Sequence, residues 1–430
     1  MRVLVLGKGA REHALTWKLK QSKDINWIGC LPGNPMMSGE TDELFLHHDL
    51  ANFKNIKNIC HLKKVDLVVV GPETPLANGI HDYFKEQNIC VFGPTKQAAK
   101  LESSKIFAKK IMKESGIPTA RYEEFHHLDE ALDNCQSWLN KNQSIVLKYD
   151  GLAGGKGVFV FHEKSQLEGA KAYFESKKII KDNFIVEECL VGKECSYFSM
   201  IGHQNRYVPL GFAVDFKRLL NEDKGPNTGG MGCYSPVPWL PSNARKLVED
   251  QVITPLLNEL TKQNNPYLGF LYVGLMWTSK GPKVIEFNCR MGDPETQVMV
   301  RHKGQDWGEY LKYAMFAKPY IKKENSQRGY AQAVVLASDG YPYLKANHQH
   351  RITNLSNENT KIFWAGAEKP LFSVNLETTS GRLLTISSHS EDPETACQAS
   401  YQIAQKMHDI MPGTQFRSDI KFHFSKVKNH

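Results

Sequence analysis

Short apolar runs alternate with amphipathic stretches from Val3 to Phe92, which predicts an α/β chain opening on a parallel sheet. From Ser144 the rhythm changes to paired strands separated by glycine loops, which predicts an antiparallel, hairpin-built core. A polar stretch at Lys322–Arg328 then separates a small C-terminal α+β module. The fold class expected is therefore α/β and α+β multidomain. The chain has 430 residues, and at roughly 150 residues per domain this suggests about three domains. The boundaries expected are 1–103, 104–326 and 327–430, with a lid over about 120–190 inside the second.

In the first domain strands are expected at Val3–Leu6, Trp27–Leu31, Asp66–Val70 and Ile89–Phe92, with helices at Arg11–Lys20 and Pro75–Glu86. Sites of parallel sheets lie at strand C-termini. Those ends carry GKGAREH from Gly7, PGN from Pro32, GPETPL from Gly71 and FGP from Phe92. Next comes one helix, with Thr95 as N-cap, Gly116 as C-cap and Pro118 as stop. Its apolar stripe is Leu101, Ala108, Ile111 and Met112, and Lys105 shares that inward face. Strands are expected at Ile145–Tyr149, Val158–Phe161, Phe184–Glu188, Glu194–Ile201, Tyr207–Phe216, Phe270–Trp277 and Lys283–Cys289. Helices are expected near Ser165–Phe174, Ser242–Gln263 and Asp306–Phe316. The last module reads as strands Ala331–Ala337, Ile362–Ala365 and Leu383–Ser387, then a helix near Asp392–Asp409.

With 41% hydrophobic and 23% charged residues, a disordered chain, a collagen and a coiled coil are excluded. The net charge of +8 favours anionic ligands but is too scattered for a nucleic-acid groove. None of the nine cysteines has metal-site spacing, and a reducing cytoplasm fits them. Cys30, Cys90 and Cys289 read as buried free thiols. The opening MRVLVLGKG is too short for a signal sequence, and no apolar run is long enough to span a membrane.

Four stretches carry chemistry. The Gly7–Gly9 turn lacks the third glycine of a dinucleotide fingerprint, because Glu12 stands there, but it feeds a helix N-terminus suited to phosphate. Arg11 in the first helical turn opposes the dipole, a conflict that a bound anion would relieve. GLAGGKG, Gly151 to Gly157, is followed by a strand, so it is a hairpin tip able to fold over polyphosphate rather than a Walker loop. Glu286 and Asn288, two apart on a strand, share a face as hard oxygen ligands for magnesium, while Ile285, Phe287 and Cys289 face the core. GPNTGGMG lets backbone and substrate approach closely, and Asp215, Lys217 and Arg218 converge on it.

In order and spacing these residues resemble the ATP-grasp ligases, and more narrowly the glycinamide ribonucleotide synthetase (phosphoribosylamine–glycine ligase) family. The carrying stretches are GKGAREHAL, GPETPL, FGP, LESSKIFAK, KYDGLAGGKGV, IVEECLVGKE, VDFKR, KGPNTGGMG and VIEFNCRMGDPETQ. The resemblance implies an N-terminal substrate domain, an ATP-grasp core with a β-hairpin lid, and ATP-dependent joining of glycine to 5-phosphoribosylamine in purine synthesis. It implies Lys105 and Lys148 at the ATP phosphates, under a hairpin made by Gly151, Gly154, Gly155, Lys156 and Gly157. Glu187, Glu188 and Leu190 would meet adenine, Glu194 the ribose, and Glu286 and Asn288 the Mg2+ (or Mn2+). Gly9, Arg11, Glu73, Arg218, Thr228, Gly229, Gly230, Met231, Gly292, Asp293 and Pro294 would serve the substrates, with Arg290 as the fork for the glycine carboxylate. Lys105, Lys148, Asp215, Lys217, Arg290 and Glu295 are the catalytic candidates. A monomer, or a dimer, is expected. The chain departs from the family pattern at Lys8, Gly154 and Phe216. Two other readings stay open at this stage: a ligase with a different acceptor, and a silent nucleotide-binding paralogue.

Overall fold

The computed structural model describes residues 1–152, 157–318, 328–344, 348–351, 355–368, 375–378 and 380–424. The parallel sheet runs, edge to edge, Glu43–Leu44, Trp27–Pro32, Arg2–Gly7, Leu67–Val70, Val91–Phe92. Every pairing in it is parallel, with Val3 opposite Ile28 on one side and Leu67 on the other. Val3 to Leu6 are all fully buried because both faces are covered; Leu4 and Leu6 belong to one core and Val3 and Val5 to another. The strand order reverses at Arg2–Gly7, so the crevice beyond Gly7 and Val70 is the place for a ligand.

The largest sheet is antiparallel. Its order is Gly281–Asn288, Gly269–Thr278, Lys193–Ile201, Tyr207–Asp215, Gly232–Ser235, Tyr330–Ser338, Arg382–Ser390, Thr360–Trp364. The strands of the C-terminal module thus continue the sheet of the central part. The seam is the pairing of Gly232–Ser235 with Tyr330–Ser338, Cys233 opposite Ala333. Third comes a four-stranded sheet in the order Tyr122–Phe125, Phe184–Glu188, Ile145–Tyr149, Val158–Phe161. Helices Leu128–Leu139 and Leu167–Ser176 cover it around a core of its own that includes Leu132, Leu147, Phe161 and Phe174.

Four expectations are corrected. The helix expected between Thr95 and Gly116 is two helices, Lys100–Ser103 and Lys105–Glu114. Ser104 between them is extended, and its hydroxyl accepts the Phe107 N–H at 3.1 Å, so it caps the second helix instead of continuing the first. Pro75–Glu86 likewise divides at Gly79, whose φ of 86° no helix allows. Cys90 is exposed, since it precedes an edge strand and not a central one. Ile285 leaves the core: Gly274 pairs with Glu286 but Leu275 with Val284, so Ile285 bulges out. The bulge restores the alternation, placing Val284 and Phe287 in one core. Helices Phe53–Lys63, Leu128–Leu139 and Glu295–Met299 were not expected from the sequence. Among the described residues no helix is long and apolar enough to cross a membrane.

The N-terminal loops grip the C-terminal module. His13 Nδ1 accepts the Trp364 N–H at 3.1 Å, so its proton sits on Nε2, which faces Glu40 at 3.3 Å. Asn34 donates to the carbonyls of Lys8 (2.8 Å) and Trp364 (3.2 Å), and Lys361 pairs with Glu40. Burial holds the His13 imidazole below its usual pKa, against the pull of Glu40. Its contribution is therefore present in neutral solution and lost as pH falls through the lowered value. His13→Ala should destabilise the protein by about 2 kcal/mol at about pH 8. The loss of thermal midpoint should shrink at about pH 5, below the ordinary imidazole value, because the unfolded chain then binds a proton that folded His13 resists. Melting curves that show an equal loss at both pH values would contradict this role.

Candidate active site

Two cavities meet where the three sheets converge. The smaller, of 370 Å³, runs from the ends of the parallel strands (Arg11, Glu73) to Glu286 and Asn288 on the antiparallel sheet. The larger, of 990 Å³, lies between the four-stranded sheet and the antiparallel sheet, with an apolar wall that includes Val146, Val160, Leu190 and Met276. Lys148, Asp215, Lys217 and Glu286 line both. Among the described residues, seven basic and seven acidic side chains line the smaller cavity. Such a site holds cations in plenty but little net charge for a polyphosphate.

The basic end is built by the capped helix and the hairpin. The Asp150 carboxylate accepts from Ile106 N–H (3.1 Å) and Ser104 Oγ (3.2 Å), which ties the start of helix Lys105–Glu114 to the glycine loop. This places Lys105 Nζ 3.0 Å from the Gly151 carbonyl. Lys148 Nζ lies 3.0 Å from one oxygen of Glu187 and donates to the Ile285 carbonyl at 3.2 Å. Lys109 approaches the other Glu187 oxygen at 3.3 Å. Burial pulls the Lys109 amine down to about 8, opposed by Glu187. Burial also lowers the Lys105 amine, opposed by Glu286.

Glu286 and Asn288 share a face, as their spacing predicts, with the Asn288 amide donating to Glu286 at 3.5 Å. Burial pushes the Glu286 carboxyl up, but Lys217, Lys148, Lys105 and Arg290 together hold it below the usual range. Its ionised carboxylate could hold a divalent cation. Among the described residues there is no cluster of three or more His, Cys, Asp or Glu side chains arranged for a metal. A cation here would complete its shell with phosphate oxygens and water, as magnesium does.

Lys217 bonds Glu194 and lies 3.9 Å from Asp215. Burial raises the Asp215 carboxyl, opposed by Lys217 and aided by Glu194. Burial, then Asp215, raises the Glu295 carboxyl. The pair therefore holds a proton well above the ordinary carboxylate range. Arg290 lies 3.0 Å from Glu102 and 3.3 Å from Glu73, and donates to the Met291 carbonyl at 3.1 Å. Arg11 pairs with Glu12 at 2.6 Å, and Glu12 also accepts the Gly9 N–H at 2.8 Å. In this structure the anion beside Arg11 is thus a side chain of the same helix. Gly7 and Gly71 must be glycine because a Cβ on either would strike Glu12.

Of the expected site residues, Arg11, Glu73, Gly151, Gly157, Glu187, Thr228, Gly229, Gly292, Asp293 and Glu295 line the smaller cavity with Lys105, Arg290 and Asn288. Glu188, Leu190, Glu194 and Arg218 line the larger one. Gly9, Gly230, Met231 and Pro294 line neither; Met231 is fully buried, with its N–H on the Phe216 carbonyl at 2.8 Å. Gly154, Gly155 and Lys156 lie outside the described residues. Lys8 is exposed, 3.5 Å from Glu368. Phe216 lies under the Arg417 guanidinium, 4.9 Å away, and lines the larger cavity. Sequence reading missed Glu102, Lys109, Tyr272 and Arg382, all of which line the smaller cavity. Lys109 falls four after Lys105, a spacing that could have revealed it. Nothing local marks Arg382.

Three family models match in order: phosphoribosylglycinamide synthetase N domain at residues 1–102, ATP-grasp (A) domain at 103–296 and C domain at 331–423. The chain belongs to the phosphoribosylglycinamide synthetase family. It is 37% identical to a phosphoribosylamine–glycine ligase of Pseudomonas aeruginosa, over 98% of each chain. It is 35% identical to one from Escherichia coli O157:H7, over 95% of each. The crystal structure of the Thermotoga maritima phosphoribosylamine–glycine ligase superposes with a TM-score of 0.81 at 32% identity, covering 98% of this chain and all of that one. An ADP complex of N5-carboxyaminoimidazole ribonucleotide synthetase shares the fold, with a TM-score of 0.65 at 14% identity, covering 95% and 97%. Membership makes this synthetase an ATP-dependent ligase of purine biosynthesis.

The synthetase's raised acids give a pH signature. A carboxyl with a raised folded pKa favours the fold at low pH, and that contribution is lost as pH rises through the raised value. Glu295→Gln stays neutral throughout. It should raise the thermal midpoint by about 3 °C at about pH 9 and by less at about pH 5. A shift independent of pH would show that Glu295 is ionised across the range.

Proposed function

We propose that this site joins glycine to 5-phosphoribosylamine through a glycyl phosphate. The observation that carries the reading is the arrangement of one cavity. Lys105, Lys148, Glu286, Asn288, Arg290, Asp215 and Glu295 all line it, and Arg290 reaches the Asn288 amide oxygen at 3.5 Å. A carboxylate does not accept an amine unaided, because its leaving group would be oxide. Phosphorylation supplies the leaving group, and phosphoryl transfer needs positioning and charge neutralisation rather than a protein nucleophile.

A glycine carboxylate oxygen attacks the γ-phosphorus and ADP departs. The phosphoribosylamine nitrogen then attacks the glycyl carbonyl, and phosphate leaves with one former carboxylate oxygen. Lys105 and Lys148 meet the phosphates, and Arg290 turns its fork to the glycine carboxylate in exchange for Glu73 or Glu102. Asp215 or Glu295 takes the amine proton, and their raised pKa values suit a base working near neutrality. Glu286 and Asn288 would hold magnesium or manganese, which supplies the positive charge that the balanced cavity lacks. The apolar cavity beside Leu190 and Met276 takes adenine, Glu187 and Glu188 serve it mainly through backbone, and Glu194 takes the ribose. Arg11, Glu73, Gly229 and Asp293 receive the phosphoribosylamine.

We assign the work to three units, 1–103, 104–326 and 327–430, with the layer over about 120–190 as the lid that excludes water from the acyl phosphate. The separate core of the four-stranded sheet supports the lid. The nine unpaired thiols support a reducing cytoplasm. A monomer, or a dimer, remains the oligomeric state proposed.

Glu286→Ala should abolish turnover with a near-normal melting curve; activity at the wild-type level in a folded variant would refute the metal assignment. The intermediate is tested with glycine carrying heavy oxygen at both carboxylate positions. Each phosphate released should carry one labelled oxygen, and unlabelled phosphate would rule out glycyl phosphate. The gene should also restore purine-free growth to cells lacking this ligase.

A further inference from the structure

Arg382 opens strand Arg382–Ser390 of the C-terminal module, far in sequence from every motif of the site. Its guanidinium nevertheless lines the smaller cavity. NH1 donates to the carbonyls of Gly229 (2.6 Å), Gly230 (3.3 Å) and Asp293 (2.7 Å), and NH2 lies 3.1 Å from the Asp293 carboxylate. The other oxygen of Asp293 accepts from Gln297 at 2.8 Å. Tyr341, also of the C-terminal module, accepts the Gly229 N–H on its hydroxyl at 2.8 Å. Gly229 is thus held at its N–H by Tyr341 and at its carbonyl by Arg382. A Cβ added there would stand 3.1 Å from the guanidinium carbon.

This arrangement does more than join two domains, which apolar packing could do without burying a cation. The Gly229 and Asp293 carbonyls and the Asp293 carboxylate belong to residues on one wall of the cavity, and the Gly230 carbonyl adjoins them. Left bare, their negative ends would repel an anionic substrate. One planar fork gathers them and neutralises them. A lysine ammonium cannot copy this, because it is a point charge without the fork.

We propose that Arg382, assisted by Tyr341, is a positioning residue for the phosphorylated amine acceptor: it holds the Gly229–Gly230 and Asp293 loops in register and cancels their negative charge. The inference rests on the acceptor lying against these loops, as in the reading above. The ATP end, at Lys105 and Lys148, is built by other elements and is independent of Arg382.

The test is a steady-state comparison of the full-length protein and its variants, with phosphoribosylamine generated in the assay from ribose 5-phosphate and ammonia. ADP release by the wild type must depend on both glycine and the acceptor; without that dependence the ligase reading itself fails. Given an active wild type, Arg382→Ala should raise the KM for phosphoribosylamine about tenfold or more, with the KM for ATP changed by no more than about twofold. Guanidinium ion added to this variant should recover part of the loss, and Arg382→Lys should remain impaired. Equal rises in both KM values, or an unchanged acceptor KM, would overturn the proposal. Tyr341→Phe keeps the ring and removes only the hydroxyl, so it carries the same test if Arg382→Ala does not fold. It should raise the acceptor KM by about threefold or more, and a wild-type value would overturn the proposal.

Discussion

Buried charge has to be paired, and the geometry of this molecule follows from how that is done. Glu286, partly buried, is held ionised because Lys217, Lys148, Lys105 and Arg290 surround it. Those cations come from a helix start, a hairpin strand, the end of an antiparallel strand and the segment after strand Gly281–Asn288. Each would be costly to bury by itself, and each carries a second carboxylate partner or carbonyl: Gly151 for Lys105, Glu187 for Lys148, Glu194 for Lys217, Glu73 and Glu102 for Arg290. The helix, the antiparallel strand and the segment of Arg290 share one core, and the hairpin strand, which has its own, is thereby held to them around one cavity. Because cations and carboxylates balance there, an arriving polyphosphate must displace internal partners or bring its own cation.

The C-terminal module belongs to this network physically. Its sheet continues the central sheet across the seam at Cys233 and Ala333. From the other direction His13 and Asn34 bind the backbone of Trp364. Arg382 and Tyr341 then reach the loops beside the cavity. The tail returns as well: Arg417 pairs with Asp223 at 2.7 Å, covers Phe216, and is followed by His423 and Phe424 on the wall of the larger cavity. The module thus reaches the walls of both cavities from outside the ATP-grasp core.

Two rules of local sequence were overridden by this network. The helix expected from Thr95 to Gly116 breaks at Ser104, because the Asp150 carboxylate takes both the Ser104 hydroxyl and the Ile106 N–H. The strand expected to alternate strictly through Ile285 bulges instead, which brings Ile285 to the cavity and aims its carbonyl at Lys148. In both places a regular element yields where a charged side chain needs a partner, and both lie at the site.

What the sequence by itself determined was the set of local patterns. Apolar runs at Val3–Leu6 and Leu67–Val70 specified buried parallel strands, period-two spacing put Glu286 and Asn288 on one face, and the glycine-rich stretches marked the loops around them. These are short-range consequences of side-chain spacing and backbone freedom, so they can be read without a fold. Tertiary structure alone decided that Glu187 holds Lys148 and Lys109, that Glu102 and Glu73 share Arg290, that Glu12 fills the first glycine turn, and that Arg382 pairs with Asp293. Each of these is a pairing of opposite charges that comes into range only when distant segments are packed together and water is removed, and no spacing along the chain encodes that meeting.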